Sequence, residues 1–136
     1  MTVLHEVAKR GDDRFLATKL EALREEEPGV LAEELNAVDG DGWTPLFWAA
    51  LTDRVKIIEA LLEAGADANQ VSSFGRTALM LAAMKGNNNS VLKLLEGKAD
   101  VFVKDSDGKT ALDLAEQSCK GMLMDEMGIS AGGREE

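Results

Sequence analysis

The sequence predicts an all-α fold, a stack of repeated helix–turn–helix units joined by tight turns. Three observations predict it. The motif Thr44-Pro45-Leu46-Phe47-Trp48-Ala49-Ala50 returns as Thr77-Ala78-Leu79-Met80-Leu81-Ala82-Ala83 and again as Thr110-Ala111-Leu112-Asp113-Leu114-Ala115, each step being 33 residues. The register holds outside the motif: Gly42, Gly75 and Gly108 each stand two residues before the threonine, Leu61-Leu62 maps onto Leu94-Leu95, and Ala66-Asp67 onto Ala99-Asp100. Within a period the apolar residues follow helical spacing. One turn and two short helices cannot bury an apolar face alone, so neighbouring units must stack.

The second unit shows why each element forms. Asp39-Gly40-Asp41-Gly42 is dense in turn formers and reads as a tight turn between repeats. Thr44 can cap the helix that follows, and Pro45 suits its first turn, where no N–H is needed. Leu46, Ala49 and Ala50 lie on one face, the alanines letting helices approach closely. Asp53 falls where this short helix ends. Ile57, Ile58, Leu61 and Leu62 then make the apolar stripe of an amphipathic second helix, and Gly65 ends it.

The first unit is degenerate, running Thr2-Val3-Leu4-His5-Glu6-Val7-Ala8-Lys9-Arg10-Gly11-Asp12. Thr2 lies 42 residues before Thr44, nine more than the period. The surplus sits between Leu20 and Asn36. Phe15, Leu16, Leu20 and Leu23 extend the outer helix, Glu25-Glu26-Glu27-Pro28-Gly29 breaks it, and Val30 to Leu35 can add a helical turn. This insertion is either a capping elaboration or a private binding element. The last unit is truncated: Leu123, Met124 and Met127 align with Ile57, Ile58 and Leu61, so Lys120 to Met127 is a short outer helix, and Met122, Met124 and Met127 read as cap packing. The repeats fall at about 1–37, 38–70, 71–103 and 104–127 of one domain. Residues 128–136 are too poor in apolar groups to order themselves and read as a flexible tail.

Composition agrees. A chain of 136 residues, 45% apolar and 29% charged, is the size of one globular domain. That length buries about two-thirds of the unfolded surface, so no disulfide or metal is needed. No run of apolar residues is long enough to span a membrane, and Met1 to Glu6 lacks the pattern of a secretory leader. The single cysteine, Cys119, points to a reducing compartment. The expected location is the cytoplasm, with the nucleus as alternative. A net charge of −10 disfavours nucleic acid and anionic lipid as partners.

These residues resemble the ankyrin repeat family, whose consensus runs roughly D-x-x-G-x-T-P-L-H-x-A-A-x-x-G and then a second helix ending L-L-x-x-G-A-D-x-N. Asp39 through Asn69 matches it nearly throughout, and the resemblance covers about nine-tenths of the chain. It implies an ankyrin solenoid of two complete repeats between modified caps, with β-turn or hairpin fingers. There are departures. Phe47 and Met80 replace the consensus histidine that tethers neighbouring turns, and only His5 keeps it. Lys98 occupies the place of Gly65, where a left-handed backbone is usual. Either the lysine adopts it, at about 1 kcal/mol, or Gly97 absorbs the turn. Ser72-Ser73-Phe74 replaces the Asp39-type turn, making that finger the least conventional.

Chemistry of other kinds is not encoded. Asp39-Gly40-Asp41-Gly42 and Asp105-Ser106-Asp107-Gly108 look like calcium loops, but the fifth ligand position is Trp43 or Lys109, so the register fails. One histidine cannot assemble a metal cluster or a Ser-His triad. Cys119 reads as a buried or cap-edge thiol. No phosphate-binding glycine loop is present, Asn88-Asn89-Ser90 reads as a loop between helices, and Glu6, Asp12 and Asp13 as a solvated cluster. The chain is expected to be neither an enzyme nor a cofactor protein.

The resemblance implies a partner surface made of finger tips and the residues after the Ala-Ala pair. Position by position these are Gly40, Asp41, Trp43, Leu51 and Thr52; then Ser73, Phe74, Arg76, Met84 and Lys85; then Ser106, Asp107, Lys109, Gln117 and Ser118. The first repeat offers Lys9 and Arg10. The charged members of this set total +3, which leaves −13 to the rest of the chain. Trp43, Phe74 and Met84 belong to types enriched at interface cores. Trp43 can equally stack over the neighbouring finger, and Trp48 reads as helix packing. The expected partner is an acidic, partly apolar segment of another protein, anchored by Trp43 and Phe74. The expected role is that of a small monomeric regulator or inhibitor working by occupancy, with a stoichiometric subunit of a larger assembly as the alternative.

Overall fold

The computed structural model describes residues 3–26 and 28–128. Within them the chain is helical, with tight turns and no strand, so the fingers are turns rather than hairpin strands. The helices are α1 (Val3–Arg10), α2 (Asp13–Glu26), α3 (Pro28–Leu35), α4 (Pro45–Leu51), α5 (Val55–Glu63), α6 (Ala78–Met84), α7 (Asn88–Glu96), α8 (Ala111–Leu114) and α9 (Gln117–Met127).

They form two layers. In the inner layer α1 packs on α4, α4 on α6 and α6 on α8. In the outer layer α2 packs on α5, α5 on α7 and α7 on α9, while α3 lies against α2. The inner layer can be this close because Ala49, Ala50, Ala82 and Ala83 present only methyl groups to it and are wholly buried. Between the layers run Ile57, Ile58 and Leu61, then Val91 and Leu94, then Leu123. Truncating any of the large ones to alanine would cost about 2–5 kcal/mol.

Each inner helix after the first starts on the periodic threonine. Thr44, Thr77 and Thr110 have extended backbone, and their hydroxyls accept from the N–H of Phe47, Met80 and Asp113. Pro45 takes the first helical position, as its missing N–H allows. Polar ladders join the repeats at the same period. Asn36 Oδ1 accepts from the Asp67 N–H at 3.2 Å, and Asn69 Oδ1 from the Asp100 N–H at 2.7 Å. Deeper in the stack, Asn87 Nδ2 donates to the Ala50 and Leu51 carbonyls, and the Ser90 hydroxyl donates to Asp53 Oδ1 at 2.5 Å. The Cys119 thiol, fully buried, donates to Asn88 Oδ1; burial pushes its pKa up.

One open alternative is decided and two expectations are corrected, the first being that Asn88, Asn89 and Ser90 open α7 rather than forming a loop. Lys98 itself takes the left-handed backbone, φ +71°, while Gly97 stays at −83°. A Cβ on Gly97 would lie 2.6 Å from a Leu62 methyl, so that glycine is there for close packing. Phe15 extends the outer helix with Leu16, Leu20 and Leu23, as expected, and is about half exposed where those three are buried. The last inner helix stops after four residues: Ala115 is extended, ψ 142°, and the Glu116 N–H donates to the Ala83 carbonyl. The final outer helix therefore begins at Gln117 rather than Lys120. Thr2 and the 129–136 part of the expected tail lie outside the described residues.

Candidate functional site

The open face of the inner layer is built from one row of residues per repeat. Trp48, Leu81 and Leu114 share one periodic position, and Leu51 and Met84 lie one helical turn further on, on the same side. Leu81 is buried, whereas Trp48, Leu51, Met84 and Leu114 are each part-buried, so this face presents apolar surface that the fold covers only in part. Lys9 and Arg10 at the end of α1 and Lys85 at the end of α6 stand exposed beside it.

Trp48 is the fixed point of that surface. Its Nε1–H donates to Asp39 Oδ2 at 2.8 Å. The Trp43 ring meets it edge-on with centroids 4.9 Å apart, and the Lys9 ammonium sits 4.8 Å from its ring centre. Trp43 is held in turn: its carbonyl accepts from His5 Nε2–H at 2.7 Å, and its ring packs edge-on against Phe47. His5 is thus the tether that the motif implied, reaching from α1 to the first finger. Phe47 and Met80, at the same position in later repeats, are completely buried and contribute packing.

Asp39 organises that finger. Its Oδ1 accepts from the N–H groups of Asp41 and Trp43, both at 3.0 Å. Burial alone would push the carboxyl pKa up, but the Trp48 indole and the Trp43 and Asp41 amides outweigh it and hold it below the ordinary value. Asp105 repeats the arrangement two fingers later, accepting from Asp107 and Lys109. The Lys109 amide, with Asp107 and Arg76, lowers its pKa against the opposing pull of burial. The middle finger keeps the same backbone turn, with Gly75 at φ +74° and its N–H on the Ser72 carbonyl. That turn is conventional after all; it lacks only the carboxylate.

The expected partner-binding residues divide. Lys9, Arg10, Leu51, Thr52, Met84 and Lys85 share the inner-helix face. Phe74 is 70% exposed at the tip of the middle finger, and Asp41, Asp107 and Lys109 are exposed at the tips of their own. Thr52 spends its hydroxyl on the Trp48 carbonyl at 2.7 Å. Arg76 is not a spare cation, because its Nε lies 3.4 Å from the nearly inaccessible Asp105 carboxylate. Counting that carboxylate lowers the charge of the set to +2. Gln117 opens α9 instead of following an inner helix, so it does not continue the Leu51–Met84 row. Trp48 was missed as a surface residue. Its signal was present, because Leu81 and Leu114 hold its position in the other repeats and only tryptophan there needs a polar partner for its ring nitrogen.

Comparison with known proteins fits this architecture. A family model of three ankyrin repeats matches residues 1–72, and a second, of many ankyrin repeats, matches residues 61–115. The chain belongs to the ankyrin repeat family. It is 34% identical over 64 residues to human ankyrin repeat family A protein 2, and 35% identical over 63 residues to the mouse protein. These matches take in 47% and 46% of this chain but only 18% and 17% of the relatives. Ankyrin repeats are in general protein-interaction modules rather than enzymes. Among the described residues no group of three metal-capable side chains occurs, and no helix is long and apolar enough to cross a membrane.

Proposed function

We propose that this ankyrin chain binds a segment of another protein on its inner-helix face and acts by occupancy, as a small regulator or inhibitor. One observation carries the reading. Trp48, Leu51 and Met84 present apolar surface that the fold covers only in part, and the neighbouring cations Lys9, Arg10 and Lys85 have no carboxylate partner among the described residues. Part-buried aromatic and methionine side chains supply the contact area that interface cores use. Unpaired lysines beside them favour an acidic, partly apolar segment. Trp48 joins Trp43 as an anchor, because it stands on the inner-helix row and Asp39 and the Trp43 ring fix its orientation. Phe74 remains a contact at the rim. A fully buried free cysteine fits a reducing cytoplasm or nucleus.

The test uses the full chain as bait in native extract, beside Met84→Glu and Leu51→Arg. Both positions are part-buried, and circular dichroism and the urea midpoint verify that the variants fold. Loss of the wild-type partners from both variants supports the reading, and their retention refutes it. Size-exclusion of the extract then separates the roles: a largely free chain is a regulator, whereas a stoichiometric complex makes it a subunit.

A further inference from the structure

We infer that Lys9 is the specificity residue of this face: held on the Trp48 ring, it reads a carboxylate of the bound segment. The inference rests on the inner-face reading above and names the residue that selects the segment's acid.

Three observations converge. The first is the fixing of Lys9. Its ammonium lies 4.8 Å from the Trp48 ring centre, and that ring is locked by Asp39 Oδ2 and by the edge of Trp43. A lysine on the surface ordinarily samples many rotamers, and ordering it on binding costs conformational entropy. Lys9 has met much of that cost in the free protein through its cation–π contact with Trp48. The second is its availability. Arg24, Arg76 and Lys93 are engaged by carboxylates of the chain itself, whereas Lys9 has no ion pair among the described residues despite a net charge of −10.

The third is the place of Lys9 in the repeat register. Lys9 stands at the same point of the repeat motif as Leu51 and Met84, so its ammonium marks the α1 end of their row. The last turn of α1 is also a favourable place for a cation by itself. That effect would not require the ammonium to sit on an indole.

The probe is a random twelve-residue peptide library displayed on phage and selected on the full chain. Enriched peptides are synthesised and their Kd measured by fluorescence polarisation against wild type, Lys9→Gln, Lys9→Glu, Met84→Glu and the outer-helix control Lys56→Glu. The expected result is peptides with an acidic residue flanking an apolar pair, binding at least tenfold weaker to Lys9→Glu. Lys9→Gln should also flatten the salt dependence, a readout that loss of packing would not move, and Lys56→Glu should bind within twofold of wild type. If Met84→Glu abolishes binding while Lys9→Glu behaves like Lys56→Glu, the inference is overturned and the inner-face reading stands. If Met84→Glu binds normally, or no peptide enriches, both fall.

Discussion

Asp39→Asn separates holding the first finger from holding Trp48. The carboxylate uses Oδ1 for the amides of Asp41 and Trp43 and Oδ2 for the indole N–H. Asparagine retains one oxygen, which can serve the two backbone donors. It then turns its NH2 toward the Trp48 N–H, so two donors face one another. The lost bond is charge-assisted, which sets its worth at about 1.5–3 kcal/mol. Trp48 is only part-buried and can turn toward water, so the expected cost is near the lower end, about 1.5 kcal/mol. Asp39→Ala removes the two turn bonds as well and should cost at least about 1 kcal/mol more.

The assay is urea denaturation followed by far-UV circular dichroism and by tryptophan emission. Trp43 and Trp48 are the chain's two tryptophans, so emission reports on this cluster alone. With an m-value of about 1–3 kcal/mol/M, a loss of 1.5 kcal/mol lowers the midpoint by about 0.5–1.5 M. Emission of the folded Asn variant should move to longer wavelength as Trp48 is released. A midpoint and emission equal to wild type would refute the reasoning. So would an alanine variant no less stable than the asparagine one.

Two further predictions concern backbone and pH. Lys98→Gly relieves a left-handed lysine worth about 1–2 kcal/mol and adds about 0.4–1 kcal/mol of unfolded-state entropy, a net gain of about 0.5–1 kcal/mol. Its Tm should rise by about 2–4 °C. Asp53→Gly, also at positive φ, should instead lower stability by about 1 kcal/mol, because it abandons the buried Ser90 hydroxyl; calorimetry checks both signs. The Asp113 carboxyl, bonded to the Thr110 amide, is lowered like those of Asp39 and Asp105. Such groups stabilise the fold above their unfolded value of about 3.9, and that contribution is lost as pH falls through their lower folded values. Urea midpoints should therefore drop between about pH 5 and pH 2, and Asp105→Asn should flatten the drop; an unchanged slope would refute the assignment.

Repeat, caps and helix order were legible because they follow from periodicity, which many residues report at once. The threonine caps and the left-handed positions Gly42, Gly75 and Gly108 sit in register with the 33-residue step, and the break at Pro28 announces itself by proline chemistry. What sequence could not show was side-chain commitment. Arg76 reads as a free cation until Asp105, 29 residues away, is seen against it. Trp43 reads as a tip residue until Phe47 and Trp48 are seen against its ring. The early end of α8 was hidden too, because Ala115 continues the apolar register and yet is extended.

The finger position shared by Asp39, Ser72 and Asp105 connects stability to the site. In the outer two fingers one carboxylate oxygen takes two backbone amides, leaving the other free. Asp39 uses it on Trp48 and so fixes the partner-facing surface; Asp105 uses it on Arg76 and so ties its finger to the one before. Ser72 has a single oxygen and no charge, so the amides of Phe74 and Arg76 lack the carboxylate their counterparts have. The middle finger, which carries the exposed Phe74, should therefore open more easily although its turn is the same. Amide hydrogen exchange measures this directly. With a tenfold change for each 1.4 kcal/mol and a bond worth about 1 kcal/mol, Phe74 and Arg76 should exchange about five- to tenfold faster than Asp41 and Trp43 or Asp107 and Lys109. Ser72→Asp should slow them to match. Equal protection across the three fingers in the wild type would show that the carboxylate does not hold the turn, and the account of Asp39 would fail with it.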